Sequence, residues 1–166
     1  MAYSALPTWP LILFGILDPL ALVWGFATAI LGPKQYYADQ SPNADLSSLT
    51  FTPQALSLTL QLGNVFLLMV AIAITCCWTT HAEITRRYLI AVAIADLAHI
   101  YAAYCGTGND VFWDFSQWNQ MAYGNIGGSL FMHVNRVLTV AGVFGKLGTR
   151  EQTTTGTSTT GEKKTR

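Results

Sequence analysis

Apolar residues dominate four stretches of the chain, about 11 to 31, 56 to 78, 88 to 105 and 125 to 147, and connections richer in polar residues separate them. Each stretch meets or approaches the roughly 20 residues that a helix needs to cross a bilayer. The pattern therefore predicts an all-α protein, a polytopic membrane bundle of four transmembrane helices spread over residues 1–148. From Thr149 onward Thr, Gly and charged residues replace the apolar ones. Too few apolar side chains remain there to offset the entropy of ordering the segment, so residues 149–166 are expected to form a disordered cytosolic tail.

The apolar spans are interrupted by charge. Asp18, Asp96, His99 and Arg136 lie where lipid would surround them, and a charged side chain at a helix centre costs about 2.5 to 3.5 kcal/mol on the insertion scale. A bundle that collects these groups in its interior avoids the cost. Counted from the basic ends of their spans at about 1.5 Å per residue, Asp18, Asp96 and Arg136 lie about 12, 13 and 15 Å deep. They share one level, where a guanidinium can neutralise one or both carboxylates. His99 is one turn from Asp96 on the same face. Pro19, directly after Asp18, removes a backbone donor and predicts a kink beside the carboxylate.

Other polar residues recur at helical spacing. Asn125, Ser129, His133 and Arg136 form one stripe of the fourth span, and Ser57, Gln61 and Asn64 form one in the second. Such stripes are either the lining of a polar pocket or hydrogen-bonding glue between helices. Between the third and fourth spans come Phe112, Trp113, Phe115, Trp118 and Tyr123, with Asp110 and Asp114 among them. Aromatic rings favour the membrane interface. This connection is read first as an interfacial anchor, and alternatively as a lid with Trp118 and Asn119 turned inward.

Charge decides orientation. Arg86, Arg87, Lys146, Arg150, Lys163, Lys164 and Arg166 fall on one side of a four-span arrangement and Lys34 alone on the other, which puts both termini in the cytosol by the positive-inside rule. The last four residues, Lys163-Lys164-Thr165-Arg166, resemble the dilysine signal that returns membrane proteins to the endoplasmic reticulum. Cys76 and Cys77 end the second span and Cys105 ends the third on the opposite side, a geometry that argues against a disulfide between them. The Cys76-Cys77 pair is either a palmitate acceptor or two thiols packed as small hydrophobes. No metal-ligand spacing is present and no cofactor is expected.

Asp18-Pro19, Gln61-Leu62-Gly63-Asn64, Ala95-Asp96-Leu97-Ala98-His99, Trp118-Asn119, Gly124-Asn125 and Asn135-Arg136 occur in that order. Together they resemble a family of small fungal integral membrane proteins known as a domain of unknown function. The resemblance covers nearly everything before the tail and implies a fungal source and four membrane helices, with Asp18 standing where the family usually carries Glu. It implies no activity. A weaker resemblance, of chemistry alone, is to the membrane-bound terpene cyclases of fungal secondary metabolism and to sterol-isomerase-like proteins, in which a carboxylic acid in a membrane pocket protonates an olefin or epoxide and aromatic faces stabilise the cation.

Three functional readings follow. In the first, the chain is an acid-base cyclase or isomerase of a lipophilic isoprenoid. Asp18, Asp96, His99 and Arg136 are then the catalytic candidates, and Trp24, Gln61, Asn64, Trp113, Trp118, Asn119, Asn125 and His133 line the substrate pocket. In the second, the same polar residues fix helix register in a noncatalytic scaffold that binds a partner. In the third, two chains assemble into a small proton-coupled transporter, a reading that the terminal retrieval signal and the paired opposite charges disfavour. The expected partners are the lipid bilayer, a lipophilic small molecule, and a membrane-protein partner or a second copy of the chain, with no nucleic acid.

Overall fold

The structure is a computed structural model and describes residues 3–148. The expected tail, 149–166, lies outside the described residues. Among the described residues the chain is helical and contains no strand.

Helix α1 spans Thr8–Leu31, α2 Pro33–Asp39, α3 Pro53–Cys77, α4 Ala82–Thr107 and α5 Asn109–Trp113. A last helical stretch, α6, covers 120–140. Helix α3 starts where its chemistry dictates: Pro53 occupies the first turn, and the Thr52 hydroxyl caps it by accepting from the Ala55 N–H at 3.2 Å. Helix α4 ends at Gly108, whose φ of 80° suits a residue without Cβ.

Three of these helices, α1, α3 and α4, are long and apolar enough to cross a membrane. The pattern of the sequence predicted four. The remaining stretch, α6, is continuous, but Asn125, His133, Asn135 and Arg136 lower its apolar character below that of the others. Helix α4 also begins earlier than the expected span, because Glu83, Arg86 and Arg87 belong to its first turns, with Arg87 bonded to Glu83 at 2.7 Å.

Helix α1 packs along α3 and α6 along α4. Small residues set the first contact: a Cβ on Gly25 would meet Phe66 at 3.2 Å, and one on Gly63 would meet Ile30 at 3.3 Å. The two pairs are joined at one end by a core of Leu6, Leu11, Leu13, Phe14, Ala73, Cys77, Tyr88 and Leu89. Backbone and hydroxyl bonds lock the same end. Ser4 Oγ donates to the Cys77 carbonyl, the Ala5 N–H to Thr79, the Gly148 N–H to Ala5, and Thr85 Oγ1 to Cys76. The N-terminal segment, the connection between α3 and α4, and the residues after α6 thus share one end of the molecule.

At the other end, side-chain amides tie the pairs. Asn119 Nδ2 donates to the Asp39 carbonyl at 2.9 Å, Asn125 Nδ2 to Gln40 Oε1 at 3.1 Å, and Asn43 Nδ2 to Gln117 Oε1 at 3.3 Å.

Candidate functional site: a carboxylate-guanidinium-carboxylate tie

Helix α1 is not a uniform α-helix. Its residues Leu13–Leu17 form a wider π turn immediately before Asp18-Pro19. Pro19 has no N–H to give the carbonyl four residues earlier, that of Gly15. The indole of Trp78 supplies the missing donor, with Nε1 at 3.0 Å from that oxygen. A Cβ on Gly15 would stand 3.0 Å from the same indole nitrogen and 2.9 Å from the tip of the Leu11 side chain, so glycine lets the indole approach without displacing either. Where the kink was expected, the chain widens by one residue, and Asp18 follows it directly.

Arg136 reaches from α6 into this region. Its Nη2 donates to Asp18 Oδ2 and its Nη1 to Asp96 Oδ2, each at 2.5 Å. One guanidinium thus bonds carboxylates from α1 and α4, and its Cζ lies over the Phe14 ring, 5.1 Å from the centroid. The Arg136 side chain is 2% exposed, against 13% for Asp18 and 12% for Asp96. Each carboxylate spends one oxygen on the guanidinium. Neither Oδ1 makes a hydrogen bond with a described residue, whereas Arg136 Nε and the Tyr88 hydroxyl are buried with no such partner.

The neighbouring residue of α6 extends the tie. Trp9 Nε1 donates to Asn135 Oδ1 at 3.1 Å, while Asn135 Nδ2 donates back to the Phe131 carbonyl at 2.9 Å. Two successive residues of α6 therefore both bind α1. Trp9, Phe14, Trp78 and Asn135 were missed as members of the site. The available signal was Pro19 itself, which leaves a carbonyl needing a donor, and the place of Phe14 four residues before Asp18 on the same face.

Of the other expected site residues, His133 stands near the tie and the rest are placed elsewhere. His99 is half-buried on α4 and makes no hydrogen bond with a described residue. His133 Nδ1 is 2.9 Å from the Ala93 carbonyl and stands with Arg136 on an open apolar groove of about 480 Å³ between α4 and α6, lined also by Ile90, Ile94 and Leu97. Trp24 is 73% and Trp113 67% exposed. Gln61 and Asn64 are exposed on α3. Asn125 is eleven residues from Arg136, about 16 Å along the helix. With Asn119 it serves the ties at the far end.

Trp118 donates through Nε1 to the Val111 carbonyl at 3.1 Å and packs edge-on between Phe115 and Tyr123. Asn119 caps α6 by accepting from the Ala122 N–H. Outside the spans, Asp114 accepts from Ser116 and Gln117, and these bonds hold its carboxyl below the ordinary aspartate range. Among the described residues no cluster of His, Cys, Asp or Glu suits a metal ion.

Fold and site define a class: an all-α protein of apolar, membrane-length helices cross-tied by a buried arginine between two aspartates. Residues 3–146 match the family described as Domain of unknown function (DUF7704), and the chain belongs to that family. No curated protein and no solved structure matches it.

Proposed function

We propose that this chain is a multi-pass membrane protein of four spans whose Asp18-Arg136-Asp96 tie is structural, and that it acts as a noncatalytic scaffold through the partners its surfaces bind. The observation that carries the reading is Arg136 itself, 2% exposed and bonded to two helices at once. Of the residues required for a substrate pocket only His133 stands near Arg136; the others are spread from the far-end loops to exposed helix faces and do not converge on the carboxylates. A fourth span is supported by chain direction: after α1, α3 and α4, only a further crossing by 120–140 returns the chain to the end where Gly148 bonds Ala5.

The location proposed is the endoplasmic reticulum with both termini cytosolic. Its supports are the charge asymmetry and the sequence Lys163-Lys164-Thr165-Arg166.

A second reading keeps the acid-base chemistry of a lipophilic isoprenoid, in line with the resemblance to fungal terpenoid enzymes. It is favoured by the Oδ1 atoms of Asp18 and Asp96, which no described residue bonds, and by an apolar groove that reaches Arg136. The two readings differ in what substitution does. A structural tie predicts that Asp96→Asn and Arg136→Gln each lower folded yield in detergent, at a cost of about 3 to 5 kcal/mol, and that the double variant recovers part of it. Strictly additive losses overturn the structural tie. Asp18→Asn that leaves folding and orientation intact yet abolishes product, when co-expressed with prenyltransferase and epoxidase partners, establishes the enzyme instead.

A further inference from the structure

Helix α3 carries a second, unconnected pattern. Ser57, Gln61, Asn64, Leu68, Ala71 and Thr75 follow one another in steps of four, three, four, three and four. All six are exposed. A strict alternation of three and four is the 3.5-residue repeat of a helix-helix seam, narrower than the face a helix presents to a general core. The packed side of α3 is elsewhere. Thr59, Gly63, Ala73 and Cys77 are its buried residues, and at about 100° per residue they lie roughly opposite the seam. The seam therefore faces away from α1 and from the tie.

Its composition does not suit lipid. Leu58, Val65 and Ile72, which run along one flank, are exposed apolar residues of the kind a bilayer accepts, yet five of the six seam positions are small or polar. Asn64 stands at the middle of the helix, eleven residues from Pro53 and thirteen from Cys77, and its amide makes no hydrogen bond with a described residue. Gln61 donates only to Ser57, at 3.3 Å, and its carbonyl oxygen accepts nothing from a described residue. Amides unsatisfied at the centre of a hydrocarbon layer are costly, and small residues flanked by such amides are what close helix pairs in membranes use.

We propose that α3 pairs with the α3 helix of a second copy of this chain through this seam. The choice of occupant follows from geometry. Every copy inserts in the same orientation, so two copies pair about an axis along the membrane normal with their α3 helices parallel. In a parallel pair each seam residue meets its own counterpart. Asn64 then faces Asn64 and Gln61 faces Gln61, and a carboxamide, with two donors and one acceptor, is complementary to itself. The small residues Ser57, Ala71 and Thr75 admit close approach at the two ends. The pairing leaves the Asp18-Arg136-Asp96 tie untouched, so it stands whichever functional reading of that tie is right.

The full chain, fluorescently labelled and reconstituted in vesicles at low protein density, should bleach in two steps. The variant combining Gln61→Leu with Asn64→Leu should bleach mostly in one, its dimer weakened at least tenfold. With Cys105 replaced by Ser, Asn64→Cys should form a covalent pair on mild oxidation and Leu62→Cys, on another face of the same helix, should not. The crosslinking arm decides the matter should the double variant fail to fold. One-step bleaching of the unsubstituted chain overturns the proposal. So does two-step bleaching retained by the folded double variant, crosslinking at position 62 in place of 64, or an adduct of Asn64→Cys with a different polypeptide in native membranes.

Discussion

At the scale of single residues, the guanidinium of Arg136 does what no other side chain can. Its two terminal nitrogens diverge toward carboxylates on different helices while its Cζ lies over the Phe14 ring. A lysine at this position offers a compact charge and no planar fork. Arg136→Lys is therefore expected to lose most of the folded yield of the unsubstituted protein despite keeping its charge; equal yield and equal thermal stability in detergent would show that charge alone suffices. Asp18, Asp96 and Arg136 were legible as a group because helical rise converts sequence number into depth with little error. Asn135 and Trp9 were not, since an indole and an amide in apolar helices have many donors and acceptors within reach, and only the pairing of α1 with α6 selects this one.

Helix α1 illustrates the element scale. Asp18-Pro19 announced a disturbance, but backbone pattern alone does not say whether the helix bends, breaks or widens; here it widens at Leu13–Leu17 and the free carbonyl of Gly15 is bonded by Trp78, the residue that follows α3. Trp78→Phe keeps an aromatic side chain and removes the N–H, and should destabilise the protein by about 1 to 3 kcal/mol, the cost of an unmet buried acceptor. A denaturation midpoint unchanged from that of the unsubstituted protein would reject the account.

The loop after α5 makes a different demand, on pH. The bonds from Ser116 and Gln117 favour the charged form of Asp114, so its folded carboxyl titrates below the ordinary value. The stabilisation is complete above the unfolded value, about 4, and fades as the pH falls through the folded one. Amide exchange at Ser116, whose N–H donates to Asp114 Oδ1 at 3.1 Å, should quicken there once the intrinsic rate is divided out. Protection that is flat with pH would deny the role of this cap.

For the whole molecule, topology is the property most open to test. The N-terminal segment, the α3-α4 connection and Gly148 meet at one end, the end that also carries Arg86, Arg87 and Lys146. A glycosylation acceptor introduced near Asn43 should be modified and one fused after Arg166 should not; the reverse pattern would invert the protein in the membrane. Replacing Lys163 and Lys164 with Ser should shift it from the endoplasmic reticulum to later compartments, and an unmoved protein would leave the terminal lysines without that role.

The sequence by itself determined the helical class, three of the four spans it predicted as membrane-length helices, and the common level of the charged residues, because length, apolar content and helical rise are local quantities that no neighbour alters. The stripes were visible too, but not what they faced. Ser57, Gln61 and Asn64 have the same spacing whether they line an interior or a surface, and only the packing of α1 against the opposite side of α3 turned them outward. Likewise Asn119 and Asn125 read as pocket residues until Asp39 and Gln40 were seen to take their amides. Periodicity fixes which residues share a face, whereas the direction of that face depends on contacts between segments far apart in the chain, and those exist only in the folded molecule.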